Sequence, residues 1–233
     1  MRKIVVTLAL LLLISSTNWT YSQNYRNRQV TLFSYNCDIH QSILSSFEQQ
    51  AHLFPETDHR KADKIVDAVK DRAWYMIKEK LEEGTGMYIL PINAYGKSFK
   101  YDVYGFPDMS INRALRKGSS RYYLKIDLTI SSALNRKESS YGALLSKDSA
   151  EKLEETLDDN AIVPKININA TTYSDKGVIP VQRVTGNAIA SQPWQVSEEI
   201  FNGIVNHDEF DDEVADSVLG LVNAGLTDLL KNF

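Results

Sequence analysis

Residues 165–191, KININATTYSDKGVIPVQRVTGNAIAS, constrain the fold more than any other stretch of this 233-residue chain. Ile166, Ile168, Ala170 and Thr172 alternate with Lys165, Asn167, Asn169, Thr171 and Tyr173. Side chains along a strand point to opposite faces in turn, so the run predicts a strand with one apolar and one polar face. Ser174-Asp175-Lys176-Gly177 breaks the alternation with turn residues, and a second extended run follows. The stretch predicts a β-hairpin that buries one face only, and such a face needs a covering layer.

The rest of the chain supplies that layer. Residues Tyr122 to Ile130 (YYLKIDLTI) form the strongest strand pattern, with Tyr122, Leu124, Ile126, Leu128 and Ile130 on one side. Val30 to Tyr35 and residues 87–92 (MYILPI) are shorter apolar strands, and Pro91 places the second at an edge or strand end. Between Asp58 or Asp63 and Glu83, Ile65, Val66, Val69, Ala73, Met76, Ile77 and Leu81 recur at helical spacing, with Gly84 positioned as the C-cap. Trp74 adjoins that stripe. Asp38 reads as the cap of a helix running to about Phe54, where Pro55 stops it. Shorter helices are predicted over 109–117 and 148–158, with another opening at Ser197. A long C-terminal helix begins near Asp208 and carries Val214, Val218, Leu221, Val222, Leu226 and Leu229. The acidic run Asp208 to Glu213 suits the positive end of its dipole. Residues 24–28 and 134–147 read as loops. The expected fold class is α+β, a small largely antiparallel or mixed sheet with amphipathic helices on one face. Residues 23–57 form an N-terminal strand and helix that share one core with the α/β domain over 58–233.

The N-terminus addresses the compartment. Arg2 and Lys3 precede an apolar run from Ile4 to Ile14, too short for a spanning helix, which needs about 20 residues. Thr20-Tyr21-Ser22 puts small residues where a signal peptidase reads them, so residues 1–22 read as a secretory signal cleaved between Ser22 and Gln23. Removing 22 of 233 residues leaves 211 with a formal charge of −6, because Arg2 and Lys3 leave and no acidic residue does. A mildly acidic chain without a basic stripe argues against nucleic-acid binding. The junction resembles bacterial export signals of the Bacteroidota type, which implies an exported protein, periplasmic, outer-membrane-associated or secreted. The single Cys37 excludes an internal disulfide and lies too far inside the chain to carry a lipid anchor. It reads as a small buried apolar residue.

Chemical motifs are sparse. His40, His52, His59 and His207 form no metal-ligand spacing, so neither a metal nor a cofactor is expected. Cys37 and His40, three apart, have the residue types of a thiol nucleophile and its base, but no third residue orients them. Asp63, Asp67 and Asp71, interleaved with Lys64 and Lys70, read as a solvated helix face. The Gly96-Lys97-Ser98 tripeptide lacks the earlier glycine of a phosphate loop, since Pro91 stands near that place. No catalytic residue is assigned. The aromatic segment 88–106 remains: Phe99, Tyr101 and Val103 suit the inner face of the sheet, and Tyr104 and Phe106 its exposed remainder. Tyr95, Tyr101, Tyr104 and Phe106, with Trp194, are the candidate binding residues, because rigid rings supply contact area.

The order of elements is similar to the periplasmic α/β modules of curli-secretion lipoproteins, penicillin-binding-protein activator lipoproteins and the N-terminal domain of the translocation protein TolB. "MYILPI" follows an amphipathic helix, "GSSRYYLKIDLTIS" takes the place of a central strand, and the hairpin precedes a terminal helix ending "LTDLLKNF". The glycine-containing turns of those modules are matched by Ser174-Asp175-Lys176-Gly177 and Val184-Thr185-Gly186. The likeness spans roughly residues 60–233 and implies a non-enzymatic envelope role in assembly or partner binding, with an envelope protein as partner. The lack of a second long apolar segment leaves a soluble or a peripheral membrane-associated chain as the expectation. This chain departs from the lipoprotein members in lacking their lipid-bearing cysteine. The leading expectation is therefore an exported protein-binding module. A small-molecule or glycan binder using the 88–106 aromatics is the alternative, and a hydrolase of scattered residues is the weaker one.

Overall fold

The computed structural model describes residues 25–45, 62–133, 163–190 and 218–233. Five strands form one mixed sheet: β1 (Gln29–Ile39), β2 (Tyr88–Ile89), β3 (Tyr122–Ser132), β4 (Pro164–Ser174) and β5 (Pro180–Ile189), in the spatial order β2-β1-β3-β4-β5. β1 runs parallel to both its neighbours, whereas β3–β4 and β4–β5 are antiparallel. The fold is α+β.

The strands follow their side chains. Ile126, Leu128 and Ile130 of β3 lie opposite Ala170, Ile168 and Ile166 of β4, and all six are buried on one face. β1 extends beyond the expected Val30–Tyr35 because a bulge interrupts its alternation: register shifts between Leu32 and Ser34. Val30 and Leu32 join the main core before the bulge, and Tyr35 and Ile39 after it. Phe33, at the bulge, packs into a second cluster with Phe99, Met109, Ala114 and Tyr123. An added residue of this kind reverses which parity faces the core, so a strict period of two ends too early. Asp38 is consequently a strand residue, and helical residues begin only at 41.

Helix α1 (Ala62–Thr85) connects β1 to β2, and its buried Val69, Ala73, Trp74, Ile77 and Leu81 cover the core face. Trp74, which only adjoins the stripe in sequence, is therefore a core residue. The helix runs past Gly84 to Thr85, and Gly86 takes the left-handed turn at φ 70°, donating its N–H to Glu82 O at 2.9 Å. Gly84 lies against Leu230. Helix α2 (Ile111–Lys117) belongs to the return connection from β2 to β3, which crosses to the opposite face and forms the second cluster. The two crossovers travel in opposite directions along the sheet, so a common right hand requires them to lie on opposite faces. Beyond the two residues of β2, the edge of β1 is taken by Pro107 and Met109: Tyr35 N donates to Pro107 O and Met109 N to Phe33 O.

Helix α3 (Val218–Leu230) packs across β4 and β5 and beside α1. Its approach is set by two glycines. A Cβ on Gly186 of β5 would fall 2.1 Å from Gly225 O, and a Cβ on Gly225 would lie 3.2 Å from Ile166 Cγ2. Tyr25 is buried, in edge contact with Tyr122 and Phe233, so the stretch expected to be loose is tied down where the two ends of the described chain meet. The predicted helices over 148–158 and from Ser197, the opening of the helix at Asp208, the 1–22 signal with its Ser22–Gln23 junction, and Trp194 lie outside the described residues, as do His52, His59 and His207.

Candidate functional site

The aromatic segment is built into the protein. Phe106 is 3% exposed and meets Tyr35 at 4.9 Å and Trp74 at 6.3 Å, whereas Val103, expected inside, is 91% exposed. A tight turn explains the exchange. Asp102 Oδ1 accepts the backbone N–H groups of Tyr104 and Phe106 at 3.0 and 2.9 Å, folding residues 102–106 so that Val103 stands at the tip and Phe106 returns to the core. Tyr101 donates its hydroxyl to Ile92 O at 3.3 Å. Tyr95 stacks on Phe99 at 4.6 Å, and its hydroxyl lies 2.9 Å from Ser120 Oγ and 3.1 Å from Thr31 Oγ1. Burial pushes the Tyr95 phenol up, but its hydrogen bonds with Ser120, Thr31 and Ser119 together hold it below the ordinary value.

Lys70 is the residue that sequence reading misplaced most. It is 5% exposed, ion-paired with Asp102, and its ammonium lies 5.1–5.5 Å from the ring centroids of Tyr35, Tyr104 and Phe106. The three rings offer their negative faces to the cation. The supporting signal is present at 101–106, where aromatics surround an aspartate, but only the fold brings them to α1. Asp67 is exposed, as expected of a solvated face.

Cys37 and His40 have separate surroundings. Cys37 packs against the core and is only partly exposed; burial, the largest effect, pushes its thiol up to about 12, against the opposing charge of nearby Lys70. His40 is exposed, with Nδ1 2.8 Å from Ser42 Oγ. Among the described residues no group of three or more His, Cys, Asp or Glu is placed to hold a metal ion, and no helix is long and apolar enough to cross a membrane.

Two other features belong to the sheet. The first is the tip of the β4–β5 hairpin, where Val178, Ile179 and Val181 are 46%, 81% and 52% exposed. It projects from β5, which has no further strand beside it among the described residues. The second is the polar face. Register places Asn36, Asp127, Asn169 and Thr185 in one row across β1, β3, β4 and β5, and Asp38, Thr129, Asn167 and Asn187 in the next. Lys125, Thr171 and Arg183 flank them. The rows are cross-linked: Thr185 Oγ1 donates to Asn169 Oδ1 (2.7 Å), Asn169 Nδ2 to Asn167 Oδ1 (2.5 Å), and Asn167 Nδ2 to Asn187 Oδ1 (2.7 Å). Asp127 accepts from Asn36 Nδ2 and from Lys125 Nζ, both at 2.8 Å.

No protein-family model and no curated protein sequence matches the chain. Solved structures with a similar course of the chain include the hypothetical protein CT253 from Chlamydia trachomatis, at 7% identity and TM-score 0.43, covering 88% of this chain and 92% of that one. A homolog of neuraminyllactose-binding hemagglutinin from Helicobacter pylori is similar at 9% identity and TM-score 0.36, covering 91% and 88% of the respective chains. PelC from Paraburkholderia phytofirmans, solved as a dodecamer, is similar at 13% identity and TM-score 0.32, covering 88% and 90%. At these TM-scores the likenesses carry no argument about what this chain binds.

Proposed function

We propose that this chain is an exported, non-enzymatic protein of a bacterial envelope that acts as a protein-binding or assembly module, and that it docks through the β4–β5 hairpin. The observation that carries the reading is the apolar tip: Val178, Ile179 and Val181, on either side of Pro180, stand in solvent while the strand behind them is anchored. A row of exposed aliphatics on a rigid support is costly in water and becomes favourable when a partner covers it. The support is stiff because β4 pairs along its whole length with β3 and helix α3 clamps β5 at Gly186. The edge of β5 adds backbone donors and acceptors that a partner strand can take up.

The alternative reading, a ligand site on the 88–106 aromatics, has less support: Phe106 is buried, and Tyr95, Tyr101 and Tyr104 are half-buried, with the Tyr95 and Tyr101 hydroxyls and the Tyr104 ring engaged. The test is site-specific photo-crosslinking in the native envelope, with the probe at Ile179 and a control probe at Val103, which is more exposed still. One stoichiometric protein captured at position 179, lost on Val181→Asp and absent at 103, is the expected result. Equal capture at both positions, or a partnerless monomer, would sink the proposal.

A further inference from the structure

We propose that the polar face of the sheet binds a neutral oligosaccharide, a function separate from docking by the hairpin tip. The composition of that face is the starting point. Asn and Asp are depleted in strands, on a scale spanning about 1 kcal/mol, because their short polar side chains compete for backbone hydrogen bonds. Yet Asn36, Asp127, Asn167, Asn169 and Asn187 occupy strand interiors in two adjacent rows. A face that only had to meet water is made more cheaply from threonine. Positions that break the local rule with no gain in packing mark sites kept for another purpose.

The arrangement is pre-organised. The relay from Thr185 through Asn169 and Asn167 to Asn187 fixes each amide plane, and all but Thr185 are half-buried. A side-chain amide has two N–H donors and an acceptor oxygen with two lone pairs. The relay spends one donor of Asn169 and one of Asn167, and among the described residues neither side-chain donor of Asn187 is used. Fixed donors and acceptors therefore remain, in adjacent pairs, which is the pattern that vicinal hydroxyl groups of a sugar complement. Neighbouring strands are about 4.8 Å apart, close to the scale of one pyranose ring, so Asn167 and Asn187, side by side in one row, are spaced to meet successive hydroxyl pairs. Charge decides between ligand classes. Lys125 is neutralised by Asp127 at 2.8 Å, while Asp38 and Arg183 lie on different rows. Lys165, the other cation of this face, stands on the far flanking row, beside Ser131 and Ile189. The charged groups thus lie at the ends and flanks of the rows, and the central amides, which are uncharged, suit a neutral ligand through hydrogen bonds. Tyr173 borders the rows on the same strand, half-buried and edge-on to Phe33 at 5.6 Å, giving an apolar margin for the C–H face of a sugar ring.

The test is an NMR titration of the exported chain with 15N-labelled asparagine side chains, using chitotetraose, cellotetraose and maltotetraose as neutral probes. A heparin tetrasaccharide and a neutral polar peptide serve as controls. The expected result is saturable movement of the Asn167, Asn169 and Asn187 amide signals with at least one neutral probe. Asn169→Ser and Thr185→Val are each expected to weaken it about tenfold, equal to about 1.4 kcal/mol, with Ile179→Asp without effect. If Asn169→Ser does not fold, Thr185→Val decides, because that position is exposed and valine keeps the β-branched shape. No saturation by any neutral probe at millimolar concentration, preference for the heparin fragment or the peptide, or undiminished binding by Thr185→Val would each overturn the proposal.

Discussion

Buried on α1 beneath three aromatic rings, Lys70 depends on Asp102 for its charge to be tolerated. Breaking a buried pair from one side leaves an uncompensated charge and costs about 3–5 kcal/mol. Asp102→Asn keeps the acceptor for the Tyr104 and Phe106 N–H groups while removing the charge. It is expected to destabilise by about 3 kcal/mol in urea denaturation, whereas a loss below about 1 kcal/mol would place the pair among exposed ones. Cys37 supplies a second residue-level prediction. Its thiol is raised from 9.0 to about 12 by burial, so at a given pH below 9 its thiolate fraction is about a thousandfold lower than that of an unshifted thiol. Alkylation at pH 8 is expected to be blocked in the native chain and to proceed in urea; rapid native alkylation would contradict the burial. The sign of the pH dependence follows. The folded chain keeps this proton where the unfolded chain releases it, so the stabilising contribution is complete below about pH 9 and is lost as pH rises toward 12. Tyr35, also raised by burial, acts in the same direction.

At the scale of elements, the contact between α3 and β5 is the most exacting. Gly186→Ala drives a methyl group into the Gly225 carbonyl, 2.1 Å away, and the helix must shift; overpacking of this kind costs about 1–3 kcal/mol. Gly225→Ala meets Ile166 and Ile168 at 3.2 and 3.3 Å, and the helix-propensity gain of about 1 kcal/mol offsets part of the crowding. Gly177→Ala, with open space around it, is expected within about 0.5 kcal/mol of the parent. Thermal melts of the three variants check the order, and equal effects at 186 and 177 would contradict the packing. The element scale is also where legibility changes. The β3 and β4 strands read directly from their alternation, because each is regular from end to end. β1 did not, because one bulged residue reverses its parity. The C-cap glycine was misplaced by two residues, since Gly84 and Gly86 satisfy the same local signal and only Leu230, packed on position 84, separates them.

For the whole molecule, β1 lies inside the sheet between β2 and β3, so the first strand and the last helix share one core. Urea unfolding is expected to be a single transition with coincident midpoints by far-UV circular dichroism and tryptophan fluorescence; two separated midpoints would divide the core. Period-two alternation, helical spacing and turn chemistry are local properties, so the sequence by itself determined that a sheet with one polar face exists, that α1 and α3 are amphipathic, and that a hairpin joins β4 to β5. The parallel placement of β1, the burial of Lys70 and Phe106, the exposure of Val103 and the alignment of Asn36, Asp127, Asn169 and Thr185 in one row were decided by the tertiary structure. Each depends on which distant segment arrives beside it, and partners brought from 16 to 91 residues away leave no periodic trace in the chain.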